Sequence, residues 1–207
     1  MSHQVEIYLV RHSEPLIEVG TCYGQLDCGL TEAYPKQLSK VSTYFKDKSI
    51  TAIYSSPLQR CALLAEDLAK QHIKDTVVYN ELLKEINFGD WEGVKWDDIP
   101  RNKIDEWNSN RLNFQFPNGE TPSQFHSRTI QFWGEFIKTA KNLTGPQKIV
   151  LVTHAGVIRS ILSYCLHIPF EFSTQLRIDY ATVSKLQLQQ HVVECHFINR
   201  LLTELTK

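Results

Sequence analysis

An apolar run over residues 5–10 stops abruptly on Arg11 and His12, and a second, over residues 148–153, stops on His154. Both runs are rich in Val, Ile and Leu and read as buried strands. In an open α/β sheet, ligands collect at the carboxyl ends of the strands, so these three residues point to one rim. Arg60 lies just after Ser55-Ser56-Pro57, which reads as a strand end, an N-cap and a proline at the first helical position. Ala155-Gly156 opens a helix behind His154 and adds free backbone N–H groups. Arginines, histidines and a helix N-terminus together make a site for a dianion such as a phosphoryl group. A neutral imidazole is a competent nucleophile toward phosphorus, and phosphoryl transfer needs mainly in-line positioning and charge neutralisation. His12 is the candidate nucleophile, although no close sequence neighbour looks like an activating partner. The leaving alkoxide needs a proton donor. Glu85, in E-L-L-K-E-I-N-F-G-D-W-E-G at residues 81–93, is the candidate, and a dianion beside it favours its protonated form. Glu81, Asp90 and Glu92 are its competitors.

Placing these residues on one rim requires alternating strands and helices. Strands are expected at Val5–Val10, Ala52–Ser55, Thr76–Tyr79 and Lys148–Thr153, with closing strands of period two at Ala181–Leu188 and Val192–Ile198. Helices are expected from Thr31 to about Phe45, after Pro57 through about Gln71, from Thr121-Pro122-Ser123 to about Lys141, and over Val157–Leu166. Residues 13–30 read as a long loop. Residues 80–122 are aromatic-rich without a clean period, and read as loops and short helices that cover one face. The alternation implies an α/β fold with a largely parallel central sheet and helices on both faces.

The bulk properties bound the class. The chain has 207 residues, enough for one domain spanning 1–207 with a sizeable core. Hydrophobic residues make up 42% and charged residues 22%, which is ordinary for a soluble globular protein. A formal net charge of −1 supplies no field to recruit nucleic acid or an anionic membrane. No apolar run approaches the ~20 residues of a membrane-spanning helix, and M-S-H-Q does not open a secretory signal. Cys22, Cys28, Cys61, Cys165 and Cys195 are odd in number and include no C-x-x-C. Reduced thiols in a cytoplasmic protein are expected, rather than disulfides or zinc.

Four motifs in order resemble the histidine phosphatase superfamily, also called phosphoglycerate mutase-like. Its R-H-G-E is matched by Arg11-His12-Ser13-Glu14, and its S-S-x-x-x-R by Ser55 through Arg60. Its E-x-x-x-G-x-W-E-G is matched by Glu85 through Gly93, and its V-x-H-x-G by Val152 through Gly156. The resemblance implies a three-layer α/β/α sandwich with neither metal nor cofactor. It makes His12 the phosphohistidine, gives Arg11, Arg60, His154 and the Ala155 N–H to the phosphoryl oxygens, and makes Glu85 the proton donor. Ser13 departs from the usual glycine, which tolerates close approach to a ligand. Pro15 and Glu18 stand where many members carry Thr and Asn, so a polar phosphate contact is expected to be lost, and Glu18 must point away from a dianion.

The loop G-T-C-Y-G-Q-L-D-C-G-L at 20–30, the 81–93 segment and F-P-N-G-E-T at 116–121 resemble the α-ribazole phosphatase branch. That resemblance implies hydrolysis of α-ribazole 5′-phosphate, or of the cobalamin phosphate, in nucleotide-loop assembly. The partner is then a small phosphomonoester. Tyr23, Gly24 and Gln25 become candidates for a base or ribose pocket, against simple loop packing for Tyr23. The aromatics Phe88, Trp91, Trp96, Trp107, Phe114 and Phe116 could stack on the benzimidazole, though most are expected in the core. Trp133 and Phe136 read as the buried stripe of a long helix. His3, His72, His126, His167, His191 and His196 carry no motif and read as incidental.

Other readings fit some of these residues. The mutases carry a longer insertion before the second histidine, so a short cover favours water as acceptor. A phosphatase of another small metabolite and a mutase remain alternatives. A metal-dependent hydrolase would use His12, Glu85 and His154 as ligands, but Arg11 and Arg60 would repel the cation and no H-x-H or H-E-x-x-H pair occurs. A non-catalytic phosphate-binding module would have no need of a proton donor.

Overall fold

The computed structural model describes residues 4–72, 76–190 and 192–203. Strand β1 (Gln4–Arg11) is followed by helix α1 (Tyr34–Phe45), strand β2 (Ala52–Ser55), helix α2 (Gln59–His72) and the two-residue strand β3 (Val78–Tyr79). After short 3₁₀ turns come α3 (Arg101–Ser109), α4 (Pro122–Lys141), β4 (Gln147–Thr153) and α5 (Ala155–Cys165). The chain closes with β5 (Val183–Gln189) and β6 (Val192–Arg200). The sheet order is β3-β2-β4-β1-β5-β6. The first four strands pair in parallel, while β5 and β6 run antiparallel at one edge. The α/β fold with a largely parallel sheet is therefore present, with its parallel part at the end that carries the chemistry.

Alternation along β1 splits the core between two faces, because successive side chains of a strand point to opposite sides. Val5, Ile7 and Leu9 pack with α4 and α5 through Phe132, Trp133, Phe136, Val157 and Ile161. Tyr8 and Val10 pack with α1 and α2 through Phe45, Leu64 and Leu68. A third cluster belongs to the 80–122 segment, where Trp91, Ile99, Phe114 and Phe116 close over Cys22 of the long loop.

Local boundaries differ from the expected ones for steric reasons. α1 starts at Tyr34, not Thr31, because Pro35 occupies its first turn and Thr31 instead closes a turn with its carbonyl on Tyr34 N. α2 starts at Gln59, after Pro57, with the Ser56 hydroxyl accepting from Leu58 N at 3.3 Å. The residues before Val78 lie outside the ladder of β3. α4 begins where expected: Thr121 and Gln124 form a reciprocal capping box with Pro122 in the first turn. All five cysteines carry free thiols. Among the described residues no helix is long and apolar enough to cross a membrane. His3 and His191 lie outside the described residues.

Candidate active site

Strands β1 and β4 are central, parallel and adjacent, and Arg11 pairs in register with Thr153. The next residue on each strand is a histidine, so His12 and His154 leave the sheet side by side. Their ring centroids are 5.1 Å apart, and both rings are fully buried. His12 N donates to Thr153 O at 2.9 Å, extending the ladder by one rung.

His12 Nδ1 lies 2.7 Å from the carbonyl of Ser13. A carbonyl only accepts, so Nδ1 carries the proton and Nε2 holds the free lone pair. This is the orienting partner missing from the sequence reading; it is a backbone group, which motifs do not encode. Burial, then the charges of Arg11 and Arg60, push the His12 imidazole well below its ordinary value. It is therefore neutral near pH 7, the state a nucleophile needs.

Arg11 is held by a turn far away in sequence. Its Nη1 donates to Ile178 O at 2.7 Å, and its guanidinium carbon lies 3.7 Å from the centre of the Tyr180 ring. The same turn binds the backbone of the dipeptide: Ala181 N donates to His12 O, and Arg11 N donates to Thr182 O, both at 3.2 Å. Ala181 takes a left-handed φ of +52°, uncommon for a residue with a side chain. No sequence motif marked residues 178–182.

Arg60 is fully buried on the first turn of α2. It donates through Nη2 to Gly24 O at 2.6 Å and through Nη1 to Leu26 O at 2.9 Å. Its Nε, Arg11 Nε and Ser13 Oγ are buried without a hydrogen-bond partner. Among the described residues neither arginine forms an ion pair with a carboxylate. His154 Nε2 meets the Ser56 hydroxyl at 2.8 Å, with Cys61 Sγ at 3.4 Å. Burial, then Arg60, His12 and Arg11, lower the His154 imidazole as well.

Glu85 reaches this rim from the loop after β3. Thr153 Oγ1 donates to Leu83 O at 2.8 Å, tying that loop to the end of β4. One Glu85 oxygen accepts from Gly156 N in the first turn of α5 at 3.0 Å, and the other from Ile86 N at 3.1 Å. The contact depends on glycine at 156, since a Cβ there would lie 2.2 Å from Glu85 Oε1. The competing carboxylates are engaged elsewhere. Glu81 pairs with Lys84, Asp90 accepts from Asn118, and Glu92 accepts from the backbone of Gln25 and Phe88.

A cavity of about 530 Å³ opens beside Arg11, Glu85, Ala155 and Gly156. Tyr23 and Gly24 line it. Tyr23 also shares a hydrogen bond with the Tyr180 hydroxyl at 3.2 Å. Gln25 lies outside the residues that line the cavity, and its amide donates to Glu85 O at 3.0 Å. The aromatics divide. Phe88, Trp96 and Trp107 face the cavity, whereas Trp91, Phe114 and Phe116 are packed behind them. Trp96 and Trp107 stack with centroids 5.7 Å apart. Arg159 on α5 and Glu171 also face inward. Glu18 points away and pairs with Lys95, and Pro15 is buried in a bridge to Leu30.

Among the described residues no three His, Cys, Asp or Glu side chains are placed to hold a metal ion. The arrangement is a neutral imidazole between two arginines, with a carboxyl group at the mouth of an apolar cavity. Such a site can accept a phosphoryl group and protonate what leaves it.

An α/β sheet with these groups at its carboxyl rim defines a class, and residues 7–200 match the model of the histidine phosphatase superfamily (branch 1). The chain belongs to that superfamily. Phosphoserine phosphatase 1 of Hydrogenobacter thermophilus is 25% identical over 190 residues, spanning 90% of this chain and 88% of that one. The crystal structure of the α-ribazole phosphatase of Shigella flexneri superposes with a TM-score of 0.84 at 23% identity, covering 98% of this chain and all of that one. A mutant phosphoserine phosphatase of Entamoeba histolytica in complex with phosphoserine gives 0.80 at 22% identity, covering 94% and 96%. At these identities the two structures show a shared fold.

Proposed function

We propose that the chain is a metal-independent phosphomonoesterase that works through a phosphohistidine, and that its substrate carries a bulky aromatic leaving group, as α-ribazole 5′-phosphate does. The observation that carries the mechanism is the charge balance around His12. Two arginines and a serine hydroxyl leave buried donor atoms without partners, and among the described residues no carboxylate neutralises the cations. Buried donors left unpaired cost about 1–3 kcal/mol each. A phosphoryl group supplies both the charge and the acceptors.

His12 Nε2 attacks phosphorus in line. The P–N bond forms, the ester P–O bond breaks, and the proton of Glu85 goes to the departing oxygen. Arg11, Arg60, His154 and the Ala155 N–H hold the three equatorial oxygens. Water then attacks the phosphohistidine and gives its proton to the Glu85 carboxylate. The P–N bond breaks, and phosphate leaves a neutral His12. Residues 80–122 act as the cover, with Phe88, Trp96 and Trp107 forming the wall that receives the leaving group. A cavity of about 530 Å³ with mostly apolar walls suits an organic group of that size.

One observation favours a second reading. Arg159 faces the cavity, donates through Nε to Leu176 O, and makes no ion pair with a carboxylate among the described residues. A carboxylated phosphoester such as phosphoserine or 3-phosphoglycerate would satisfy it. The deciding experiment is phosphate release, with chelator present, from α-ribazole 5′-phosphate, phosphoserine and 3-phosphoglycerate. A kcat/KM for the ribazole ester far above the others is expected. Preference for the carboxylated esters would move the assignment to the second reading, and isomerisation of 3-phosphoglycerate would make the chain a mutase. His12→Ala should abolish turnover with the fold retained. Hydrolysis persisting in that variant would sink the mechanism, and binding of phosphate without any turnover in the wild type would leave a binding module.

A further inference from the structure

We propose that Arg128, locked by Glu120, is the positioning residue that sets the place of the Glu85 carboxyl; the inference rests on the reading of Glu85 as proton donor. Arg128 stands on α4 and does not touch the phosphoryl site. All five N–H donors of its guanidinium are used. Nε and one Nη2 proton grip Glu120 Oε2 and Oε1 at 2.9 and 2.7 Å, a bidentate pair. Nη1 donates to Leu82 O at 2.9 Å and to Lys84 O at 2.8 Å, and Nη2 donates to Glu85 O at 2.8 Å.

These contacts bracket Glu85. Three carbonyls at and before it are held by Arg128, and Asn87 N, two residues after it, donates to Glu120 Oε1 at 2.8 Å. Gln25 Nε2 adds a second donor to Glu85 O. The backbone of the acid is thus fixed on both sides, and only its side chain is free to point at Gly156 N and the cavity. Both partners are largely shielded, with 18% and 16% of their side chains exposed. The guanidinium also lies 5.0 Å from the ring centre of Phe125, a cavity wall residue, which leaves it little room to swing. Only a planar five-donor fork can serve this set of acceptors; an ammonium has three donors and no fixed plane.

Displacing a catalytic group by about 1 Å can cost about 100-fold in rate. A displaced Glu85 slows phosphoryl transfer to His12 only where the leaving group needs a proton; its later role as acceptor of the water proton is common to every ester and does not enter kcat/KM. The test compares an alkyl phosphate with p-nitrophenyl phosphate in wild type, Arg128→Lys, Glu120→Gln and Glu85→Gln, with Tm and inhibition by inorganic phosphate recorded for each. For Arg128→Lys, we expect kcat/KM on the alkyl ester to fall by about 100-fold, while kcat/KM on p-nitrophenyl phosphate and phosphate inhibition stay nearly unchanged. Glu120→Gln, which keeps the side-chain shape, should show the same pattern more weakly, and it carries the test if Arg128→Lys does not fold. Equal losses on both esters, or no loss on either, would overturn the positioning role while Glu85→Gln still showed the leaving-group dependence. If Glu85→Gln itself showed none, the proton-donor reading would fall and this inference with it.

Discussion

The proposed mechanism needs an uncharged His12, and its surroundings hold it so. A ring buried beside two arginines resists protonation, and the Ser13 carbonyl directs the proton to Nδ1. Nε2 keeps a free lone pair, and as the proposed nucleophile it needs no base to activate it. The proposed proton donor faces the opposite demand, since in that role Glu85 must deliver a proton. Glu85→Gln keeps the shape and removes that ability. Its kcat/KM on alkyl phosphates should fall by about 10²–10⁴-fold. p-Nitrophenyl phosphate, whose phenolate leaves unaided, should lose little in kcat/KM, although its kcat can fall through the water-activation step. Parallel losses on the two esters would take Glu85 out of the acid role.

At the scale of elements, the site is a junction of two strand ends, one helix start and a distant turn. The register between β1 and β4 sets the two histidines side by side, and no loop adjustment could replace it. The first turn of α5 presents Gly156 N to Glu85, and that contact exists only because position 156 lacks a side chain. Gly156→Ala is compatible with a helix and should cost little stability. The new methyl must push the Glu85 carboxyl off its anchor, because that flexible carboxylate is the nearest obstacle. We expect kcat on alkyl phosphates to drop while Tm holds or rises. Unchanged kinetics would show that the Gly156 contact does not place the acid. The turn at 178–182 is the other indispensable element, for its carbonyls, its Tyr180 ring and the strained Ala181 all serve the Arg11-His12 pair.

For the whole molecule, the two buried histidines couple stability to pH. Their folded values lie below the ordinary histidine value near 6.5. Between the folded and unfolded values the unfolded chain binds more protons, so stability falls as pH drops below about 6.5. Each such group contributes a slope of up to about 1.4 kcal/mol per pH unit in that window. His72 and His126 are lowered too, by burial, so the test is a difference. Denaturant unfolding of wild type and His12→Asn between pH 5 and 7 should give a shallower slope for the variant. Identical slopes would mean that His12 is charged in the folded protein.

Much of this was legible in a linear reading because the signals are local. Period-two strands, the T-P-S helix start and the strand-end histidines each lie within a few residues. The candidates Arg11, His12, Arg60, Glu85 and His154 could be picked because each stands in a short motif at an element boundary. For Gln25 the loop was legible, but the direction of its side chain, toward Glu85 O, was not. What the sequence by itself determined is the order of elements, their faces and the residues capable of phosphoryl chemistry. Only the tertiary structure decided what holds those residues. Ile178 and Tyr180 reach Arg11 across more than 160 positions, Arg128 reaches Glu85 across 43, and Gln25 reaches it across 60. Those contacts are mostly to backbone carbonyls, which every residue carries, so no choice of residue type announces them. Geometry alone selects which carbonyl meets which donor, and geometry exists only once the sheet has brought its strand ends together.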